Sequence, residues 1–123
     1  TPDQSSAASD VYKRQGSREY IKAANVLSEA SKLSKNPDLP YRLGQIELNL
    51  SRWEKAIESF QLAEKYGWDD DEGQIDYFIG ICFIELQEFD DAVSYLSKAA
   101  EAGREDSVAP WLEYIQYLKD TAG

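Results

Sequence analysis

The chain has 123 residues, 42% of them hydrophobic and 29% charged, with a formal net charge of −10 and no histidine. That is one domain's length with enough apolar residues to bury a core. The acidic balance excludes a nucleic-acid partner, which needs basic patches, and no apolar run approaches the ~18 residues of a membrane span, which excludes direct membrane insertion.

In chain order the first feature is Ser5–Gln15, SSAASDVYKRQ. It resembles a one-frame translation of the transposase adapter used in short-read library preparation, over eleven consecutive residues. No methionine occurs anywhere in the chain, which agrees with an open frame entered from inside a longer gene. Residues 1–15 are therefore expected to be a non-native leader, disordered or a frayed helix, and are set aside from fold reasoning as a tag would be. The rest is expected to be the C-terminal part of a longer protein. Removing Asp3, Asp10, Lys13 and Arg14 takes away two charges of each sign, so the acidic balance is unaffected.

Ser17 is placed to cap a helix running to about Leu33, with Tyr20, Ala23, Ala24, Leu27, Ala30 and Leu33 as its apolar positions. Asn36-Pro37 stops it, and the next helix starts near Asp38 or Leu39 with Pro40 in its first turn. That helix runs to about Leu50. Ser51 and Glu54 then have capping-box spacing for a helix ending at Gly67. The acidic turn Trp68–Gly73 fails the EF-hand count, because position 1 would be Trp68 and position 12 Ile79. Gln74–Gln87 is a helix apolar almost all round, as expected of one buried between neighbours or lining a groove. Phe89–Ala102 follows, Gly103 stops it, and Ser107 caps a last helix with Pro110 in its first turn and Trp111, Leu112, Ile115 and Leu118 as its stripe.

Two of these hairpins are one unit written twice. At an offset of 36, Tyr41 falls on Tyr77, Leu43 on Ile79, Gly44 on Gly80, Leu50 on Leu86 and Trp53 on Phe89. Ala56 falls on Ala92, Phe60 on Leu96, Ala63 on Ala99 and Gly67 on Gly103. At an offset of 33, Tyr20, Ala23, Leu27 and Ala30 meet Trp53, Ala56, Phe60 and Ala63, so the first helix reads as the second helix of a truncated repeat. Self-similarity at this period signals a repeat array. Leu43-Gly44 with Ala56, Phe60 and Ala63, and Ile79-Gly80 with Ala92, Leu96 and Ala99, resemble the tetratricopeptide repeat. Departures are Pro40 and Asp76 at its early Trp position, Glu47 and Phe83 at its Tyr position, and Gly67 and Gly103 in place of its closing Pro. The resemblance implies an all-α fold, an α-solenoid of about six helices. Its divisions are the leader 1–15, a second helix at 16–36, repeats at 37–72 and 73–108, and a C-terminal capping helix at 109–123.

Little in the chain supports catalysis. Without histidine there is no imidazole base, no Ser-His or Cys-His pair and no histidine zinc site. Cys82, the single thiol, sits on an apolar helix face and reads as a structural residue. Asp90 and Asp91 complement a helix start, and no glycine-rich phosphate loop appears. No catalytic, cofactor or metal site is therefore expected.

In tetratricopeptide arrays the first helices line a concave face. The resemblance places Tyr41, Gln45, Leu48 and Asn49, then Tyr77, Ile81, Ile84 and Glu85, on it, and helical spacing independently puts 41, 45, 48 and 77, 81, 84 on shared faces. The expected partner is a protein, bound as a basic or apolar peptide or helix. The competing expectation is that neighbouring helices or the last helix cover this face, making the chain a structural end-cap. A third is a regulatory domain of a larger enzyme. Where carboxylate-clamp members carry lysine and asparagine, this chain has Tyr41, Gln45, Tyr77 and Ile81, so the resemblance does not imply a carboxylate clamp. The stretch from Leu43 to Tyr117, closing on Trp111-Leu112-Glu113-Tyr114-Ile115, is also similar to bacterial tetratricopeptide proteins encoded beside TonB components. That resemblance implies a periplasmic or cell-envelope location, with the cytoplasm as the alternative.

Overall fold

The computed structural model describes the backbone of residues 2–69 and 72–122 and the side chains of residues 18–69 and 72–121. Within them every regular element is helical: α1 (Pro2–Leu33), α2 (Asp38–Asn49), α3 (Trp53–Lys65), α4 (Gln74–Glu85), α5 (Phe89–Ala99), a five-residue π turn (Ala100–Arg104) and α6 (Glu105–Ala122). Each helix packs on the next in sequence, α1 on α2, α2 on α3, and so to α6. Such nearest-neighbour packing is what makes a solenoid quasi-one-dimensional.

Two cores alternate along the stack. The first joins α2, α3 and α4 through Tyr41, Ala56, Ile57, Phe60, Ala63, Ile75, Ile79 and Cys82. The second joins α4, α5 and α6 through Ile84, Ala92, Leu96, Ala99, Val108 and Ile115. Helix α4 is apolar on nearly every side because it serves both. Within each hairpin the helices approach at a glycine. A Cβ on Gly44 would lie 2.8 Å from the Phe60 ring, and one on Gly80 would lie 2.7 Å from Leu96. The flanking Ala56, Ala63, Ala92 and Ala99 are all fully buried.

The helix ends depart from the expected caps. Helix α1 runs unbroken from Pro2 to Leu33, so Ser17 lies inside it and caps nothing. Gly16-Ser17 alone does not turn a chain flanked by helix formers such as Gln15, Arg18 and Glu19. The side chains of Ser5–Gln15 lie outside the described residues. The Ser51–Glu54 capping box does not form either, since the residue before α3 is Arg52 and no side chain bonds the helix start. Ser51 is used otherwise: at φ 59° it is the left-handed residue that ends α2. Its N–H reaches the Leu48 carbonyl at 3.1 Å and that of Arg52 reaches Glu47 at 2.8 Å, the two bonds of a Schellman ending. One residue cannot both close α2 left-handed and cap α3 in extended backbone.

Gln87, 36 residues on, repeats this with φ 61° and the equivalent bonds Gln87 to Ile84 and Glu88 to Phe83. Gly67 ends α3 the same way at φ 98°. The last helix is also longer than expected. It begins at Glu105, directly after Gly103 leaves helical geometry at φ 118°, so Ser107 caps nothing and Pro110 lies inside α6. The N–H that proline lacks would have bonded near the helix start, at Asp106, where the loss is tolerable.

Three variants test this packing by their stability. Gly44→Ala gains about 1 kcal/mol of helix propensity but drives a methyl into a fully buried, rigid ring. Overpacking of that kind costs ~1–3 kcal/mol, so the denaturant midpoint should fall. Gly80→Ala should cost less, because Leu96 can change rotamer. In the opposite direction, Gln87→Gly relieves a left-handed residue with no side-chain role in the core. It should raise stability by about 0.5–1 kcal/mol.

Candidate peptide-binding face

The expected groove residues divide into two groups. Tyr41 is buried under Trp68, the two rings stacked with centroids 3.9 Å apart and planes at 11°. Its edge meets Phe60, and Gln45 Nε2 donates to its hydroxyl at 3.3 Å. Ile84 is closed into the second core with Val108 and Ile115. These two residues cannot floor an open groove. For Tyr41 the cause is the chain after Gly67, which turns back so that Trp68 lies over the first-helix tyrosine of its own repeat. For Ile84 it is position: four residues after Gly80, it shares the side of α4 that meets α5.

Tyr77 is half-buried and held from two directions. Its hydroxyl accepts the Trp111 indole N–H at 2.9 Å, and the Arg104 guanidinium lies 5.6 Å from its ring centroid. Arg104 stands 36 residues after Trp68, so each repeat folds the residue after its glycine stop onto its tyrosine. Arg104 Nε also donates to the Glu72 carbonyl at 2.8 Å. The rest of the expected set stays accessible. Gln45, Leu48 and Ile81 are half-buried, and Asn49 and Glu85 are exposed.

Sequence reasoning missed two aromatics on the last helix. Tyr114 and Tyr117 are 47% and 63% exposed. The 36-residue shift would have found the second, since it carries Ile81 onto Tyr117; Tyr114 falls on Phe78, outside the expected set. By the same shift Gln45, Ile81 and Tyr117 hold one repeat position on α2, α4 and α6, and Glu85, Glu113 and Asp120 are exposed on the latter two helices. Two shallow notches repeat along the edge where first helices turn into second ones. Ser51–Lys55 with Leu86 line one, and Gln87–Asp91 with Lys119 line the other.

Beneath the face lies one buried acid. Glu47 is 6% exposed and accepts a short hydrogen bond from the Ser59 hydroxyl across the α2–α3 contact. Burial holds its carboxyl above the usual carboxylate pKa, opposed by the Ser59 bond and by the Lys55 and Arg52 charges, with Glu58 adding to the rise. Cys82 is fully buried, and burial, with Glu85 adding, pushes its thiol up to about 12. A thiol so placed is not a thiolate nucleophile at neutral pH. Among the described residues no group of three or more acids or cysteines could hold a metal; Asp70 and Asp71 of the acidic turn lie outside them. No described helix is long and apolar enough to cross a membrane.

Because folded Glu47 keeps its proton to higher pH than the unfolded chain does, its contribution to stability is complete below the ordinary carboxylate pKa. That contribution is lost as pH rises through the elevated folded value. Glu47→Gln keeps the shape and an acceptor for Ser59 without the charge. The variant should therefore gain stability over the parent as pH rises from 4 to 7, read as a growing difference in denaturant midpoint. An unchanging difference would show that Glu47 ionises normally in the fold.

Comparison with known proteins adds the following. A tetratricopeptide repeat family model matches residues 41–107. The solved structures of MamA AMB-1 and MamA MSR-1 each superpose with a TM-score of 0.63 at 25% identity over 72% of this chain. The chain spans about half of their length, 52% and 50%. No curated protein sequence matches the chain.

Proposed function

The chain belongs to the tetratricopeptide repeat family, and we propose that it is a non-catalytic protein-interaction scaffold whose first helices bind a basic, amphipathic peptide or helix. The observation that supports this is the accessible row Gln45, Leu48, Ile81 and Tyr117. These four are uncharged, and α4 and α6 also expose Glu85, Glu113 and Asp120. Helix α4 contains no basic residue, and the one lysine of α6, Lys119, pairs with Asp90 at 3.1 Å. Aliphatic side chains of a ligand would enter the row, and its lysines or arginines would meet the exposed acids. Tyr41 and Ile84 support the face from beneath and touch no ligand.

Two observations favour the end-cap reading. The Trp111–Tyr77 bond and the burial of Ile84 beside Val108 and Ile115 fasten α6 over part of α4. In that reading α6 closes the stack and binding belongs to other repeats. The narrower role, an accessory of TonB-type transport in the periplasm, rests on the resemblance over Leu43 to Tyr117, carried mostly by Trp111–Ile115, and a regulatory domain of an enzyme rests on no residue of this chain.

Peptide display against the whole chain separates the readings. The scaffold predicts selected peptides enriched in lysine, arginine and aliphatic residues, weakened by salt, and losing about tenfold or more in affinity on Ile81→Asp. Selected peptides indifferent to Ile81→Asp, or no enrichment at all, would favour the end-cap.

A further inference from the structure

Both tyrosines of the second repeat carry a cation from the same chain. The Arg104 guanidinium lies 5.6 Å from the Tyr77 ring centroid, and the Lys98 ammonium lies 4.9 Å from that of Tyr95. Tyr117 of α6 is more exposed than either, at 63%, and has no cation on its ring among the described residues. Glu113 stands four residues before it and Asp120 three after, so an acid, the ring and an acid form one stripe along the helix. Both acids are exposed. Among the described residues Glu113 is in no ion pair, and Asp120 accepts from the Gln116 amide at 2.9 Å. Lys119, two residues after the ring and so on the other side of the helix, is held by Asp90 at 3.1 Å. The packing of a second helix does not close the Tyr117 position. Gln45 and Ile81 hold it on α2 and α4 and stay partly accessible although α3 and α5 pack on those helices.

We propose that Glu113, Tyr117 and Asp120 form the seat of one arginine side chain of the bound protein, which rests on the scaffold role above and names the residue that α6 recognises. The guanidinium lies over the Tyr117 ring, as that of Arg104 lies over Tyr77, and its N–H groups donate to the carboxylates on either side. Arginine suits the seat better than lysine. Its planar fork faces a ring and a carboxylate at once, and it sheds water more readily than a compact ammonium. The same stripe reads Tyr41, Gln45 and Leu48 on α2 and Tyr77, Ile81 and Ile84 on α4, with no acid in either. The seat therefore belongs to α6 alone, one repeat beyond the aliphatic contact at Ile81. No basic side chain of the described structure fills it, because Arg104 is engaged at Tyr77 and Glu72 and Lys119 at Asp90.

The test selects a random displayed peptide library on the full chain and, in parallel, on Tyr117→Ala and on the double variant Glu113→Gln with Asp120→Asn. All three positions are exposed, and unchanged denaturant midpoints check that the variants fold. The parent should select arginine over lysine at one place in the peptide, and both variants should lose that arginine while keeping the aliphatic positions. One selected peptide then gives a second readout. Replacing its arginine with alanine should weaken binding to the parent about tenfold, and with lysine about threefold. Against the chain carrying all three substitutions, the alanine replacement should change affinity less than about twofold. Peptides that need Ile81 but show no arginine preference, or a preference that survives in the variants, would overturn the seat and leave the scaffold role standing. Arginine-dependent selection that ignores Ile81→Asp would do the reverse. No selected peptide would overturn both, and equal selection of lysine would overturn the assignment to arginine.

Discussion

The spacing of the helices rests on one contact made twice, a bare glycine backbone against a large apolar side chain. Phe60 on Gly44 and Leu96 on Gly80 bring the two helices of each hairpin closer than any Cβ would allow. That closeness is why alanines on either side of the large residue are fully buried and contribute packing without steric conflict. It also fixes which sides of each hairpin remain to meet the next. Ile57 on α3 is left to pack with Ile75 and Ile79 of α4 in one core, and Ile84 is left to meet α5 and α6 in the other. A glycine costs about 1 kcal/mol of helix propensity against alanine, which the buried aromatic or leucine beside it more than offsets at roughly 1.5–3 kcal/mol.

The turns complete each hairpin by different chemistry at the same place. Trp68 covers Tyr41 by ring stacking, an interaction driven by apolar area and favourable offset geometry. Arg104 covers Tyr77 as a cation on a ring face, and its Nε–H is fastened to the carbonyl of Glu72, the last residue of the preceding repeat. The two differ in consequence. Trp68 leaves Tyr41 buried, whereas Arg104 leaves the Tyr77 hydroxyl free to accept the Trp111 N–H, and that bond brings α6 into register with α4. The fold can substitute arginine for tryptophan because what the position requires is a flat group of the right size, and both supply one.

The repeat was legible because it rests on residue size at fixed spacing: Gly44, Phe60 and Ala63 announce a close helix pair, and their counterparts 36 residues on confirm the period. Helix ends were less legible. Ser51 and Glu54 have capping-box spacing, but with so short a connection the closing of α2 competes with the opening of α3, and the left-handed ending takes the serine. Gly16-Ser17 and Ser107 misled in the same way, because a serine before a helical pattern is compatible with a cap without requiring one. The candidate face was legible only in part. Spacing put Tyr41 and Ile84 on the right helices, but whether a side chain is covered depends on partners distant in sequence, Trp68 in one case and Val108 with Ile115 in the other. Tyr117 was overlooked although the same period points to it.

Positions that agree between the repeats and positions that differ carry different information. Glycine, its large partner and the flanking alanines do not vary in kind, and they account for the fold without specifying any ligand. Variation concentrates where the two cores tolerate alternatives: Glu47 with Ser59 against Phe83 with Tyr95, Trp68 against Arg104, and Gln45 against Ile81 and Tyr117. The first of these pairs changes together, a hydrogen-bonded acid and alcohol in one hairpin and two rings 5.5 Å apart in the other. Either is self-consistent, and crossing them would bury a carboxylate against a ring or leave a hydroxyl without its partner. The third set belongs to neither core, and Gln45 bonds only to the Tyr41 hydroxyl of its own helix, so nothing in the core dictates glutamine, isoleucine or tyrosine there. A repeat protein's specificity must reside in such unmatched positions, because the matched ones are already determined by packing.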